Sequence, residues 1–347
     1  MNEREVKMET PSQPEGPSPA LFFQTVNAHQ RTEVLRTAIE LELFTAIAEG
    51  MRTPRSLAKR CGASERGIRM LADSLTVSGF LNKENFEYSL TLDSSVFLDK
   101  RSPAYLGGTM DFMLSQPLIE GFKKLTGAVR KGGTVVSDEG TTQAEHPEWV
   151  TFARSMVPMM KGPAEWIATW VSHKAPHTRK VLDVAAGHGI FGVEIARKAP
   201  QAEITALDWA NVLTVAQENA EAAGIKDRFH TLPGSAFEVD LGNGYDFVLL
   251  TNFLHHFDVP TCEAFLKKVK ACLNKSGRVI TLEFVPNEDR VSPPAMADFG
   301  LIMLATTPAG DAYTFSEYDR MFRNAGLNNS EMHDVPASNQ RVIITQK

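Results

Sequence analysis

The stretch Val181-Leu182-Asp183-Val184-Ala185-Ala186-Gly187-His188-Gly189-Ile190-Phe191-Gly192 decides the fold. Residues 180–184 read as a short apolar strand, 187–189 as a glycine turn and 190–198 as a helix. Gly187, Gly189 and Gly192 form GxGxxG between strand and helix, and Asp208 ends the next strand 21 residues after Gly187. That spacing marks a nucleotide-binding unit with an acid on the ribose hydroxyls. Taken alone, it suits an NAD-dependent oxidoreductase.

Three features point elsewhere. Asp183 lies at the strand end directly before the loop, where a carboxylate would crowd a pyrophosphate but can hold an ammonium group. No second nucleotide-binding half follows Tyr245. The loop also lies mid-chain, after a complete helical region. S-adenosylmethionine fits better: it offers a ribose to Asp208, an adenine to an apolar slot, and a cationic amino-acid end.

On the carboxyl side the rhythm alternates. Residues 203–207, 229–232, 245–250 and 278–284 read as strands, 212–223 and 260–273 as helices. Continuous apolar strands between helices predict a parallel sheet covered on both faces. A helix at 316–325 and a strand pair at 331–333 and 341–345 close the chain.

On the amino side, residues 1–19 are rich in Pro, Ser and Glu and are expected to be disordered. An apolar pattern at helical spacing runs from 21 to about 50. Thr53 and Pro54 then start a helix, Ser64 a second, and Phe80-Leu81 and Tyr88-Ser89-Leu90 flank a polar turn. Helix, turn, helix and two-stranded wing outline a winged helix. Its 51–85 segment holds seven basic and three acidic residues, which leaves a DNA-binding regulator open beside a packing module. Residues 101–175 look helical and carry many Met and Phe.

The whole chain has 347 residues and a net charge of -6, which fits two or three domains and argues against a protein that grips nucleic acid broadly. No apolar run could span a bilayer, and the start resembles no secretory signal. Three scattered cysteines, Cys61, Cys262 and Cys272, read as reduced thiols in a cytoplasmic protein, with no metal site.

With these residues in view, the chain resembles the class I S-adenosylmethionine-dependent methyltransferases. More closely it looks like the bacterial small-molecule O-methyltransferases related to caffeate and acetylserotonin O-methyltransferases. The resemblance implies an α/β fold: a Rossmann-like seven-stranded methyltransferase sheet behind an N-terminal winged-helix dimerisation domain, all-helical apart from its wing. The expected divisions are a tail at 1–19, the dimerisation domain at 20–100, a helical linker and substrate-pocket region at 101–178, and the cofactor-binding domain at 179–347. Homodimerisation through the N-terminal domain follows from the resemblance.

So do several roles. The family's D-x-G-x-G-x-G appears here as Asp183-Val184-Ala185-Ala186-Gly187-His188-Gly189, with Ala185 replacing the first glycine. Backbone contacts survive this alanine if its φ stays negative. Asp208 takes the ribose and Trp209 lies against the adenosine. Ser235, Ala236 and Phe237 stand on the adenine side, where relatives carry an acid at the Ser235 position. Thr251 stands where a basic residue often helps.

The catalytic candidate lies in Thr251-Asn252-Phe253-Leu254-His255-His256-Phe257, at the carboxyl end of a parallel strand, where open α/β sheets bind ligands. Methyl transfer to a hydroxyl needs a base, and imidazole suits that task near neutral pH. The family motif Leu-His-Asp-Trp puts the base at His255. Glu283 matches its acidic orienting partner, while Ala312 stands where plant relatives place a second acid. That loss leaves a nitrogen, sulfur or carbon acceptor open beside oxygen. Phe152, Met156, Met159 and Met160 would line one wall of the acceptor pocket, with Asp298, Leu301, Met303 and Leu304 opposite. The expected activity is methyl transfer from S-adenosylmethionine to a small-molecule hydroxyl.

Overall fold

The computed structural model describes residues 16–347, so most of the expected tail lies outside the described residues. The chain divides into two compact units, one ending at Gly107 and one starting at Gly108.

In the first unit the apolar stretch from 21 to 50 forms three helices, Ala20–Val26, Ala28–Glu40 and Leu43–Ala48. Glu42 adopts a left-handed φ of 51°, which breaks the last two apart. Thr53 caps Pro54–Cys61 in a reciprocal capping box with Ser56, and Gly62 ends it at φ 62°. Ser64 caps Glu65–Val77 through the Gly67 amide. The wing is an antiparallel pair, β1 (Leu81–Glu84) and β2 (Glu87–Leu90). Leu43, Phe44, Leu57, Ile68, Leu75 and Tyr88 are fully buried in its core. Each such side chain contributes about 1.5–3 kcal/mol of transfer free energy. Of the seven basic residues at 51–85, Arg55, Arg60, Arg69 and Lys83 are ion-paired with acids of this unit. Those pairs reduce the cationic charge offered to a phosphate backbone.

The second unit carries a seven-stranded sheet: β3 (Lys180–Val184), β4 (Glu203–Asp208), β5 (Phe229–Pro233), β6 (Tyr245–Thr251), β7 (Leu273–Glu283), β8 (Asn328–Asp334) and β9 (Arg341–Gln346), in the order β5-β4-β3-β6-β7-β9-β8. The first five are parallel, and β9 and β8 join antiparallel. β7 begins earlier than its apolar pattern indicates, because Leu273 pairs with Tyr245 across a register shift. Helices Ile190–Lys198 and Val157–Lys174 cover one face, and Val259–Cys272 and Phe315–Asn324 the other. Chain order reverses beside β3, whose neighbours are β4 and β6. The carboxyl ends of β3 and β6 are therefore side by side, with Val184 opposite Leu250. This is the switch point at which such sheets bind ligands. No described helix is long and apolar enough to cross a membrane.

Candidate active site

The glycine loop leaves β3 through three consecutive odd positions in left-handed conformation: Ala185 at φ 51°, Gly187 at 57° and Gly189 at 69°. The condition that Ala185 keep a negative φ is not met. The turn follows the shape of a glycine-rich sequence, and the alanine bears the steric cost. Two buried acids hold the loop. Asp208 at the end of β4 accepts from the Gly187 amide at 2.8 Å and from the Trp209 amide at 2.7 Å. Asp183 Oδ2 accepts from the Gly192 amide at 3.2 Å, while its buried Oδ1 has no partner among the described residues. Burial pushes Asp183 up to about 8 and Asp208 up to about 6, with the amides opposing.

His188, between the two glycines, is buried. Its Nδ1 accepts from the Ile190 amide at 3.2 Å, and its ring stacks on Phe152 with centroids 6.0 Å apart. Phe152 also covers the loop itself: a Cβ added at Gly187 would meet its ring at 3.7 Å.

The catalytic candidates meet at the mouth of β6. A short 3-10 turn, Leu254–His256, follows Thr251. Glu283, the last residue of β7, is fully buried, and its Oε1 accepts from the Phe253 and Leu254 amides at 3.1 and 2.9 Å. Its Oε2 is bonded to Nδ1 of His255. Burial raises the Glu283 carboxyl, opposed by the amides of Phe253, Leu254 and His255. We assign the ionised form, since the Phe253 and Leu254 amides that reach this carboxylate can only donate. His255 Nδ1 then carries a proton, and its Nε2 is a bare lone pair with no partner among the described residues. Burial lowers the His255 pKa, so the ring is neutral at pH 7.

Ala312 is buried, and among the described residues Glu283 is the acid bonded to His255. Asp311 turns away: its carboxylate lies 3.5 Å from Arg290 and accepts from the Ala312 amide at 2.8 Å. Its backbone does reach the site, since the Asp311 amide donates to the His255 carbonyl at 3.0 Å.

The remaining sequence candidates spread around this centre. Thr251 is buried at the end of β6. Trp209 packs with Trp149, Val150, Ala153, Val212 and Val215. Ser235 accepts from the Phe237 amide at 3.3 Å, Ala236 is buried, and Phe237 joins Phe253, Phe257 and Phe265. Met156 and Met160 belong to the main core and Met159 is exposed. Met303 is buried, whereas Asp298 and Leu301 are exposed. Phe299, not singled out by the sequence, is the residue of helix Pro294–Thr306 that touches the base, edge-on to His255 at 4.8 Å. Trp149 lies edge-on to His256 at 5.2 Å and was likewise missed. An apolar helix such as Pro294–Thr306 offers no periodic signal telling its pocket face from its packing face. No cluster fit for a metal occurs among the described residues.

Residues 169–328 match the O-methyltransferase domain family, and residues 23–100 the O-methyltransferase dimerisation domain. A solved structure from Nostoc punctiforme, assigned as an O-methyltransferase, is 53% identical, superposes with a TM-score of 0.93, and covers 96% of this chain and 100% of its own. The 3-hydroxy-5-methyl-1-naphthoate 3-O-methyltransferase of Streptomyces sahachiroi is 29% identical over 91% of both chains. Human N-acetylserotonin methyltransferase, solved with S-adenosylmethionine, shares the fold at 22% identity and a TM-score of 0.82, over 97% of this chain and 99% of its own. These matches do not favour the oxidoreductase or DNA-regulator readings. The chain belongs to the S-adenosylmethionine-dependent O-methyltransferase family.

Proposed function

We propose that the protein methylates a hydroxyl of a flat, apolar hydroxyarene, with His255 as general base and Glu283 as its orienting partner. The carrying observation is the His255–Glu283 bond, which leaves a neutral imidazole with a bare Nε2 at the sheet's switch point. The flat acceptor is supported by the aromatic lining of Trp149, Phe152 and Phe299, and by the naphthoate acted on by the Streptomyces relative.

The residues present fit the cofactor. Asp208 is an acceptor-only group suited to ribose hydroxyls, and the unpartnered Asp183 Oδ1 suits an ammonium. Ala185, Ala186, Gly187 and Gly189 carry at most a methyl group on the loop, and Trp209 and Phe237 supply apolar surface. When bound, S-adenosylmethionine supplies an electrophilic methyl on a sulfonium. This chain's own residues then do the following. The aromatic side chains orient the acceptor and exclude water. The His255 Nε2 takes the hydroxyl proton as the oxygen forms its bond to the methyl carbon and the sulfur–carbon bond breaks. Glu283 stabilises the imidazolium so formed. We also propose a homodimer assembled through the 23–100 region, with the acceptor pocket built within the second unit.

The test is His255→Ala. It is expected to lower kcat about 100-fold or more while leaving S-adenosylhomocysteine affinity intact. Full turnover at saturating acceptor would sink the base assignment.

A further inference from the structure

One aromatic wall of the proposed acceptor pocket ends in a carboxylate that the mechanism leaves unused. In the helix Glu148–Ser155 and its C-cap Met156, the residues Glu148, Phe152 and Met156 recur every four positions, which sets them along one face. Phe152, one turn after Glu148, stacks on His188 and lies over Gly187. Trp149, the next residue, lies 6.1 Å from Phe152 and 5.2 Å from His256 between ring centroids. Glu148 therefore stands at the end of the wall, one turn before the ring that covers the glycine loop. Its Oε2 is buried and has no hydrogen-bond partner, and no ion pair reaches this carboxylate among the described residues. Basic groups close in sequence are engaged elsewhere. The His146 Nδ1 accepts from the Glu148 amide at 3.2 Å, so that nitrogen has no proton to give. Arg154, on the same helix, pairs with Glu218 at 3.0 Å. An acid in the first turn is favoured by the helix dipole, but a carboxylate wholly in water meets that preference equally well. The dipole gives no reason to bury one oxygen unpartnered, which costs free energy until a donor arrives. Asp298, beside Phe299 on the helix Pro294–Thr306, is exposed and adds a second negative charge.

Resting on the hydroxyarene reading above, we propose that the acceptor is an amine-bearing hydroxyarene, bound as its ammonium, and that Glu148 is the specificity-determining residue that receives it. The partner of Oε2 must donate hydrogen bonds and, to balance a carboxylate held out of water, carry positive charge. The apolar ring lies against Trp149 and Phe152, its hydroxyl at the His255 Nε2 and its ammonium arm at Glu148. Transfer is unchanged: the hydroxyl proton goes to His255, and the oxygen takes the methyl as the sulfur–carbon bond breaks. The amine stays protonated at Glu148 and so has no lone pair with which to attack the methyl. The same ion pair therefore selects oxygen over nitrogen. A neutral arene of equal size leaves Oε2 unmatched, and a carboxylate-bearing arene meets a like charge.

The experiment measures dissociation constants for tyramine, 4-ethylphenol and 3-(4-hydroxyphenyl)propanoate with the S-adenosylhomocysteine complex, in the native chain, Glu148→Gln and Glu148→Lys. The native chain is expected to bind tyramine about tenfold or more tightly than 4-ethylphenol, and the propanoate most weakly. The tyramine preference should collapse toward one in Glu148→Gln. In Glu148→Lys the order of tyramine and the propanoate should reverse. Retained S-adenosylhomocysteine affinity in both variants separates lost recognition from lost fold. Equal binding of tyramine and 4-ethylphenol by the native chain, or an undiminished preference in Glu148→Gln, would overturn the proposal. If the native chain binds none of the three probes, the hydroxyarene reading fails and the proposal with it; equal binding sinks only the role of Glu148.

Discussion

At the residue scale, reactivity depends on what each side chain lacks as much as on what it bonds. His255 has a fully engaged Nδ1 and a free Nε2. An ordinary exposed imidazole loses its basic form below about pH 6.5. Burial without a compensating charge on Nε2 moves that loss to more acidic pH. The sign follows: protonation removes the base, and a lowered pKa means protonation comes later as pH falls. The acid limb of kcat/KM is expected well below 6.5 in a pH–rate profile; a limb at or above 6.5 contradicts the buried neutral base. Glu283→Gln keeps an acceptor but removes the charge that stabilises the imidazolium. It should lower kcat about 10–100-fold with little change in KM, checked by steady-state kinetics.

Ala185 gives a residue-scale prediction about stability. Its φ of 51° costs a residue with a Cβ about 1–2 kcal/mol relative to glycine. Ala185→Gly should therefore stabilise the protein, less the added freedom of the unfolded chain. A rise in Tm of about 2–4 °C is expected in a calorimetric scan.

At the element scale, neighbouring elements hold the catalytic turn through hydrogen bonds to its backbone carbonyls. The segment 310–313 crosses directly behind it. The Asp311 amide donates to the His255 carbonyl at 3.0 Å, and the Tyr313 hydroxyl donates to the Phe257 carbonyl at 2.7 Å. From the helix Val259–Cys272, the Cys262 thiol donates to the Leu254 carbonyl at 3.3 Å. A Cβ at Gly310 would lie 2.3 Å from the His255 carbonyl oxygen. The turn must move to admit it, and displacing a base by an ångström costs up to about 100-fold in rate. Gly310→Ala should lower kcat at least about tenfold with S-adenosylhomocysteine affinity retained. Joint loss of both would instead indicate collapse of the loop.

At the scale of the whole molecule, the first unit buries a complete core yet leaves Leu21, Phe22, Phe23, Val26, Val77, Phe86 and Leu92 exposed. In the proposed homodimer these side chains are candidates for the buried face. With the dimerisation family matched at 23–100, the expected occupant is a second copy. Replacing Phe22 and Phe23 together with Glu should shift the protein from dimer to monomer in light scattering; a mass unchanged from the native protein would place the interface elsewhere.

The glycine stretch, the acid 21 residues on and the strand–helix alternation were enough to establish the sheet unit. These signals are local in sequence, because strand period, turn chemistry and helix caps act over a few residues. His255 and Glu283 were legible as types at strand ends for the same reason. What tertiary structure alone decided was non-local. Phe299 and Trp149, far apart in sequence from the 255–256 turn, meet it only because the fold brings them there. Ala185 took a left-handed φ because the loop around Asp183 and Asp208 imposes it, against the residue's own preference. The bare Nε2 of His255 depends on a carboxylate 28 residues away. A hydrogen-bond vacancy belongs to the surroundings of an atom, and those surroundings exist only once the chain has folded.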